Sequence, residues 1–328
     1  MKEAQTRLDN LTKPPGSLGY LEELAVRIAG ITQQILPEIE SKEHIIMVGD
    51  HGVVKEGVSA FPQTITQAMV KNFLNSGAAV NVLASQYNVN ISIVDIGMVK
   101  SIDAKGIIQA NVKKGTDNML KGPAMTKKEA ITSIEQGIKI TNEIIENGAG
   151  IIGTGEMGIG NTTPSSAIIA SATEMSLDQV VGYGTGLDEE GLENKKRIIA
   201  AAIKKNKPKK DDALDILSKV GGLEIGGMAG IMLAGAAARK PVMIDGLISA
   251  AAALIAYLIE PKVVDFLIPS HKSVEPGHEN LYSFLNLEPM FDLGMRLGEG
   301  TGAILGMGIV ESSVRIIKEM ATFDTLDF

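Results

Sequence analysis

Cysteine and tryptophan are absent from this 328-residue chain, and histidine occurs only four times. The first absence removes disulfide frameworks, thiolate metal sites, iron–sulfur clusters and cysteine nucleophiles. A cationic surplus is lacking too. The formal net charge is −8, which argues against nucleic acid and anionic membranes as main partners. Long apolar runs are missing. The most apolar region, Ile225 to Ile259, is interrupted by Arg239, Lys240 and Asp245, and its clean stretch from Leu247 to Ile259 is too short to span a bilayer. That stretch reads as a buried helix. The opening residues, MKEAQTRLDN, are polar where a signal peptide would be apolar, so the expected location is cytoplasmic. A hydrophobic fraction of 45% is ordinary for a globular protein, and the length allows one large domain or two unequal ones.

Glycine, with 36 copies, is what the chain has in quantity. Many of these follow short apolar runs. Ile45 to Val48 leads into Gly49-Asp50-His51-Gly52, Ile91 to Ile96 into Gly97, and Gly150-Ile151-Ile152 into Gly153-Thr154-Gly155. Val242 to Ile244 leads into Asp245-Gly246, and Val263 to Ile268 into Pro269-Ser270-His271. Runs that are apolar on both faces and end in glycine or proline read as buried parallel strands. Helical spacing fills the intervals at Gln63 to Gln86, Thr126 to Glu146, Asp188 to Lys205 and Gly246 to Ile259. The pattern predicts an α/β protein with a parallel sheet and flanking helices, binding its ligand at the carboxyl ends of the strands. Both ends of the chain read as helix only. Leu18 to Leu36 forms one helix, and two more follow Pro289 with Gly298 to Gly302 between them. These segments either cover the sheet or build a small helical domain of their own. The stretch KKNKPKK at 204–210 lacks aromatics and reads as a solvated loop.

Five groups of residues could carry chemistry. Gly153-Thr-Gly155-Glu-Met-Gly158 has the G-x-G-x-x-G spacing of a dinucleotide fingerprint, although no strand clearly ends at Asp178, where the acidic partner should stand. Gly160-Asn161-Thr162-Thr163-Pro164 offers amides and hydroxyls at a helix start, which suits a single phosphate or simply a capped turn. Gly182 to Asp188, followed by Lys195, Lys196 and Arg197, suits a phosphate or a flexible turn before a helix equally. Asp50, His51, Asp245, His271 and His278 match no standard ligand spacing, and loop-fixing hydrogen bonds account for them better than a metal. Finally, Glu299 stands between glycines in Arg296-Leu-Gly-Glu-Gly-Thr-Gly302. It is either a first-turn helix carboxylate or a general base, with its proton affinity pulled down by a helix end and pushed up by apolar neighbours such as Leu293 and Leu297.

Taken together, LDNLTKPPGSLGYLEELA, GDHGVVKEGVSAFPQTIT, GEMGIGNTTPSSA, VGYGTGLD, GGLEIGGMAG, DGLISAAAAL, PSHKSVEPGH and RLGEGTGA resemble the nicotinate-nucleotide–dimethylbenzimidazole phosphoribosyltransferase family of the cobalamin nucleotide-loop pathway. The resemblance runs nearly end to end. It implies transfer of the 5-phosphoribosyl group of nicotinate mononucleotide to 5,6-dimethylbenzimidazole, giving α-ribazole 5′-phosphate and nicotinate. It implies no metal and no cofactor. Glu299 takes the place of the family's base, and Glu156 that of an acid beside the ribose. Gly158, Gly160, Asn161 and Thr162 correspond to a phosphate cradle, and Lys195 and Ser273 to further phosphate contacts. Ser59 and Gln67 fall where the aromatic base is held, and Asp245 near the ribose hydroxyls. Phe61, Met69 and Tyr87 stay open between that pocket and the core. A homodimer is implied, with a large Rossmann-like domain at 41–286 and a small helical domain from both termini, 1–40 and 287–328. Competing readings are an oxidoreductase using the Gly153 turn, a binding subunit without activity, and a relative that activates another lower-ligand base.

Overall fold

The computed structural model describes residues 1–326. Six strands form one sheet: β1 Ser41–Gly49, β2 Asn90–Gly97, β3 Ile107–Gln109, β4 Ala149–Met157, β5 Val242–Ile244 and β6 Leu267–Pro269. Their order is β3-β2-β1-β4-β5-β6, and every neighbouring pair is parallel. The chain thus builds outward one way from β1, then returns and builds the other way from β4. This is the Rossmann-like order, whose crevice lies between the two central strands at their carboxyl ends. The parallel α/β sheet expected from the apolar runs is what forms.

Burial on both faces explains those runs. On β1, Ile45 and Met47 enter one core with the helices Lys127–Glu146, Leu223–Ala237 and Leu247–Ile259. Ile46 and Val48 enter the opposite core with Tyr20–Thr32, Thr64–Leu74, Ala79–Tyr87 and Thr301–Glu319. Sequence sets the close approach of two helices on the first face. A Cβ on Gly137 would lie 2.0 Å from the Gly227 carbonyl oxygen, and one on Gly230 would lie 2.1 Å from that of Ile134. The termini meet in a third, smaller core of Ala4, Leu8, Leu11, Ala25, Ala29 and Ile317. Arg7 fastens it by donating through Nε to the Ile317 carbonyl at 2.7 Å.

Several elements differ from the sequence expectation. The single helix expected over 63–86 is two, because Ser76 takes a left-handed φ of 57° between Thr64–Leu74 and Ala79–Tyr87. The helix expected over 18–36 is Tyr20–Thr32, ended by Gln33 at φ 58°. The strand expected over 263–268 is a 3-10 turn, Pro261–Phe266, followed by the three-residue β6. After Pro289 one long helix forms rather than two. Residues 290–298 run irregularly, and Gly294 and Gly298 have φ of 63° and 86°. Edge strand β3 has no counterpart among the apolar runs. Among the described residues, no helix is long and apolar enough to cross a membrane.

Candidate active site

A cleft of about 360 Å³ opens over the carboxyl ends of β4, β5 and β6. Glu156, Gly158, Asn161, Thr162, Asp245, Ser273 and Glu299 all line it, so most of the residues singled out from sequence converge. Phe61, Ile65 and Met69 supply an apolar wall, which places Phe61 and Met69 at the cleft. Tyr87 instead packs within the core, against Gly308. Ser59 and Gln67 are half-buried but do not line the cleft. They flank the wall, and the Ser59 hydroxyl accepts from the Phe61 amide at 3.3 Å.

Glu299 occupies an unusual turn. Its φ is +62°, between Gly298 at +86° and Gly300 at +84°. Three successive left-handed residues explain why glycine brackets it, because a Cβ there is strained. Space makes the same demand. A Cβ on Gly298 would meet the Glu156 carboxylate at 2.4 Å, and one on Gly300 would meet the His44 ring at 2.0 Å. Glu299 is only 5% exposed, and its Oε2 has no hydrogen-bond partner among the described residues. Burial raises its proton affinity, the Val80 amide opposes this, and the Asp245 charge adds to it. Desolvation therefore outweighs the helix end. Leu293 and Leu297 stand 64% and 58% exposed, and Leu297 lines the cleft beside Glu299.

Asp245 takes up the amides that open the Thr301–Glu319 helix. Its Oδ1 accepts from Gly302 N–H at 2.7 Å and Ala303 N–H at 3.2 Å, and its Oδ2 from Gly300 N–H at 3.2 Å. A carboxylate at a helix N-terminus is favoured by the aligned peptide dipoles. Asp245 is itself held from three sides. Ser249 Oγ accepts from its amide, Tyr282 O–H donates to its carbonyl, and His271 Nε2 lies 3.5 Å from Oδ1. Burial alone would lower the proton affinity of His271, but this carboxylate outweighs it and raises it.

Glu156, next to last on β4, sits in a pocket of acids. Burial, reinforced by the charges of Asp245 and Glu224, pushes it up to about 8, against the hydrogen bonds from Asn161 Nδ2 and the Glu299 amide. Glu224 pairs with buried His51 at 3.1 Å behind the cleft floor. A Cβ on Gly158 would come within 3.1 Å of that histidine. Asp50 fixes its loop, as expected, by accepting from the Val99 amide at 2.8 Å. Among the described residues no group of three acidic or histidine side chains is arranged to hold a metal ion.

On the opposite side, the Thr162–Thr173 helix points its N-terminus at the cleft after a turn in which Gly160 has φ +85°. Lys195 is fully buried behind this wall. Its Nζ donates to Thr162 Oγ1 at 2.8 Å and to the Gly182 carbonyl at 3.1 Å. Burial lowers it to about 8, with Glu275 opposing. A helix N-terminus backed by a cation suits an anion. Gly160 and Lys195 are thus behind the lining rather than in it. Ser273 is held by its amide donating to His278 Nδ1 at 3.2 Å.

The dinucleotide fingerprint dissolves at this level. Gly153 and Gly155 lie inside β4, not in a strand-to-helix turn, and a Cβ on either would collide with the His44 ring, at 2.6 and 2.4 Å. Gly158 clears the Gly49 carbonyl, which a Cβ would approach to 2.2 Å. These glycines make room for protein. Sequence reasoning gave no role to His44, Glu224, Glu275 or Arg296, whose Nη1 donates to the Gly184 carbonyl at 3.4 Å at the cleft mouth.

Residues 1–326 match a family described as phosphoribosyltransferase. The nicotinate-nucleotide–dimethylbenzimidazole phosphoribosyltransferase of Halalkalibacterium halodurans is 51% identical over 323 residues, spanning 98% of this chain and 90% of the relative. The enzyme of the same name from Desulforamulus reducens is 50% identical, spanning 98% and 93%. The crystal structure of CobT from Thermus thermophilus superposes with a TM-score of 0.95 at 41% identity, covering 98% of this chain and 97% of its own. The chain belongs to the nicotinate-nucleotide–dimethylbenzimidazole phosphoribosyltransferase family.

Proposed function

We propose that this enzyme moves the 5-phosphoribosyl group of nicotinate mononucleotide to 5,6-dimethylbenzimidazole, with Glu299 as the general base. The observation that carries the base role is the buried carboxylate with a free Oε2, held in the cleft on a left-handed turn. In nicotinate mononucleotide the pyridine nitrogen is already cationic. When the bond to C1′ breaks, its electron pair stays on that nitrogen and nicotinate departs with no general acid. The unprotonated nitrogen of the benzimidazole attacks C1′ from the opposite side, which inverts the configuration. The new cationic ring is neutralised when its other nitrogen loses its proton to Glu299. One base therefore suffices, in contrast to the carboxylate pair of glycoside hydrolysis. Positive charge gathers on the ribose as the bond lengthens, and Asp245 on the same lining stabilises it, joined by Glu156 once the cationic substrate has drawn it into its ionised form.

The remaining roles follow the walls. The N-terminus of the Thr162–Thr173 helix, with Asn161, Gly158, Gly160, Ser273 and the cation of Lys195, takes the 5′-phosphate. A carboxylate offers about four acceptor positions. Three amides engage Asp245, which leaves it able to meet a ribose hydroxyl. Phe61, Ile65 and Met69 form the apolar side for the flat base, with Ser59 and Gln67 flanking it. The same reading takes the protein as a cytoplasmic homodimer. It divides the chain into a large domain, 41–286, and a small helical domain from 1–40 and 287–328, the termini sharing their own small core.

An assay with nicotinate mononucleotide and a panel of lower-ligand bases, detecting the α-ribotide and released nicotinate by mass, tests reaction and base preference together. Glu299→Gln should cut turnover by about 10²- to 10⁴-fold, the range of general-base catalysis. The wild type should also lose activity on the acid side at a pH above the ordinary carboxylate range, because burial raises Glu299 and only its ionised form accepts the proton. Wild-type turnover in Glu299→Gln would remove the base assignment.

A further inference from the structure

A non-glycine residue in the left-handed region is strained there, so its neighbours must over-determine it. The polar backbone groups around Glu299 show what does so. Its own N–H donates to Glu156 Oε1 at 3.4 Å, the next N–H, of Gly300, donates to Asp245 Oδ2 at 3.2 Å, and its carbonyl faces His44 Nε2 at 2.9 Å. Glu156 and Asp245 line the cleft, where they are available to substrate. His44 does not. It sits on β1, 0% exposed, beneath the turn.

The ring occupies a slot made by omitting side chains at three positions on two backbone segments. Added Cβ atoms on Gly153, Gly155 and Gly300 would fall 2.6, 2.4 and 2.0 Å from it. Because a carbonyl only accepts, Nε2 must carry the proton, and burial keeps the ring neutral. Packing alone is a poor account of this residue. A methionine or leucine would fill an apolar slot, whereas His44 leaves Nδ1 buried with no partner among the described residues, an arrangement that is unfavourable unless the other nitrogen has work to do.

We propose that His44 is a positioning residue for the transfer reaction, its Nε2–H holding the Glu299 carbonyl and thereby setting the direction in which the Glu299 carboxylate enters the cleft. The inference rests on Glu299 being the base. His44 touches no substrate, so its effect belongs in turnover and not in binding.

The test compares His44→Met, which fills the slot without donating, with His44→Gln, whose side-chain amide can donate. Both are measured for kcat, for KM toward nicotinate mononucleotide and for melting temperature. In His44→Met, kcat should fall about 10- to 100-fold, as expected when a reacting group is misplaced by about 1 Å, while KM stays near wild type. His44→Gln should recover most of the loss. Combining His44→Met with Glu299→Gln should add no further loss to the latter. Wild-type kcat in His44→Met, equal impairment of both variants, or a loss confined to KM would overturn the proposal. Should His44→Met fail to fold, nitrogen NMR of the wild-type imidazole decides. The expected signal is a neutral ring protonated at Nε2 with a slowly exchanging proton, and the opposite tautomer or a cationic ring refutes it. Full turnover in Glu299→Gln removes the base reading and this inference with it. An inactive Glu299→Gln beside an unaffected His44→Met removes this inference alone.

Discussion

At the scale of single residues, the cleft is a place where acids are kept from water. Glu156 shows the consequence most directly. Its carboxyl titrates near 8 in the folded chain against 4.5 when unburied, so the folded state binds this proton more tightly. Stability from this group is therefore complete below about 4.5, declines as pH rises toward 8, and stays reduced above it. Glu156→Gln, which cannot ionise, should unfold at higher denaturant than the wild type above pH 8, by on the order of a few kcal/mol, and the difference should vanish near pH 4.5. Urea titrations at the two pH values measure it, and an offset independent of pH would contradict the assignment. A cationic substrate entering beside Glu156 would favour its ionised form. Glu299 and Glu156 were legible in the sequence because each stands in a glycine-bracketed motif. His44 was not, because its bond to Glu299 spans 255 residues and neither neighbour nor spacing marks it.

Among the elements, the Thr301–Glu319 helix is the one that joins function to scaffold. It buries Ile304, Met307 and Val310 against the sheet, and its first amides end on Asp245. A capping side chain is typically worth about 1 kcal/mol and at most about 2. Asp245→Ala should lower unfolding free energy by roughly this amount and release the Gly298–Gly300 turn, so turnover should fall more than stability. Denaturant midpoints and kcat on one preparation give both, and unchanged stability would mean that the amides find other acceptors. The strands β1, β2 and β4 were readable from their apolar runs, as was the Lys127–Glu146 helix, whose Thr126 and Glu129 cap each other reciprocally. Helical periodicity could not show the break after Leu74, because the apolar pattern continues through it while Ser76 turns left-handed and Ala78 extended. The G-x-G-x-x-G spacing misled for a related reason. Spacing does not say whether glycines clear a ligand or a side chain, and here they clear His44 and the Gly49 carbonyl.

Over the whole molecule, the reversal of strand order between β1 and β4 opens the crevice that the cleft uses. All four histidines, only 0%, 1%, 3% and 0% exposed, lie in or behind that region, so the scarce residue is concentrated where the acids are. The domain division at 41–286 rests on resemblance, and the helices of both termini share cores with each other and with the sheet. Sedimentation at micromolar concentration should give twice the chain mass, and a single-chain mass would end the homodimer reading. The His44 slot has a consequence for how this sequence can vary. One imidazole's volume is divided among Gly153, Gly155 and Gly300, which come from two distant segments of the chain. Alanine at Gly153 requires both position 44 and Met307 to yield, whereas at Gly155 it also meets the Glu299 carbonyl at 2.4 Å and at Gly300 it is strained by a φ of 84°, and shrinking position 44 gives up the hold on Glu299. Each single step is harmful, so neutral drift at these four positions is blocked.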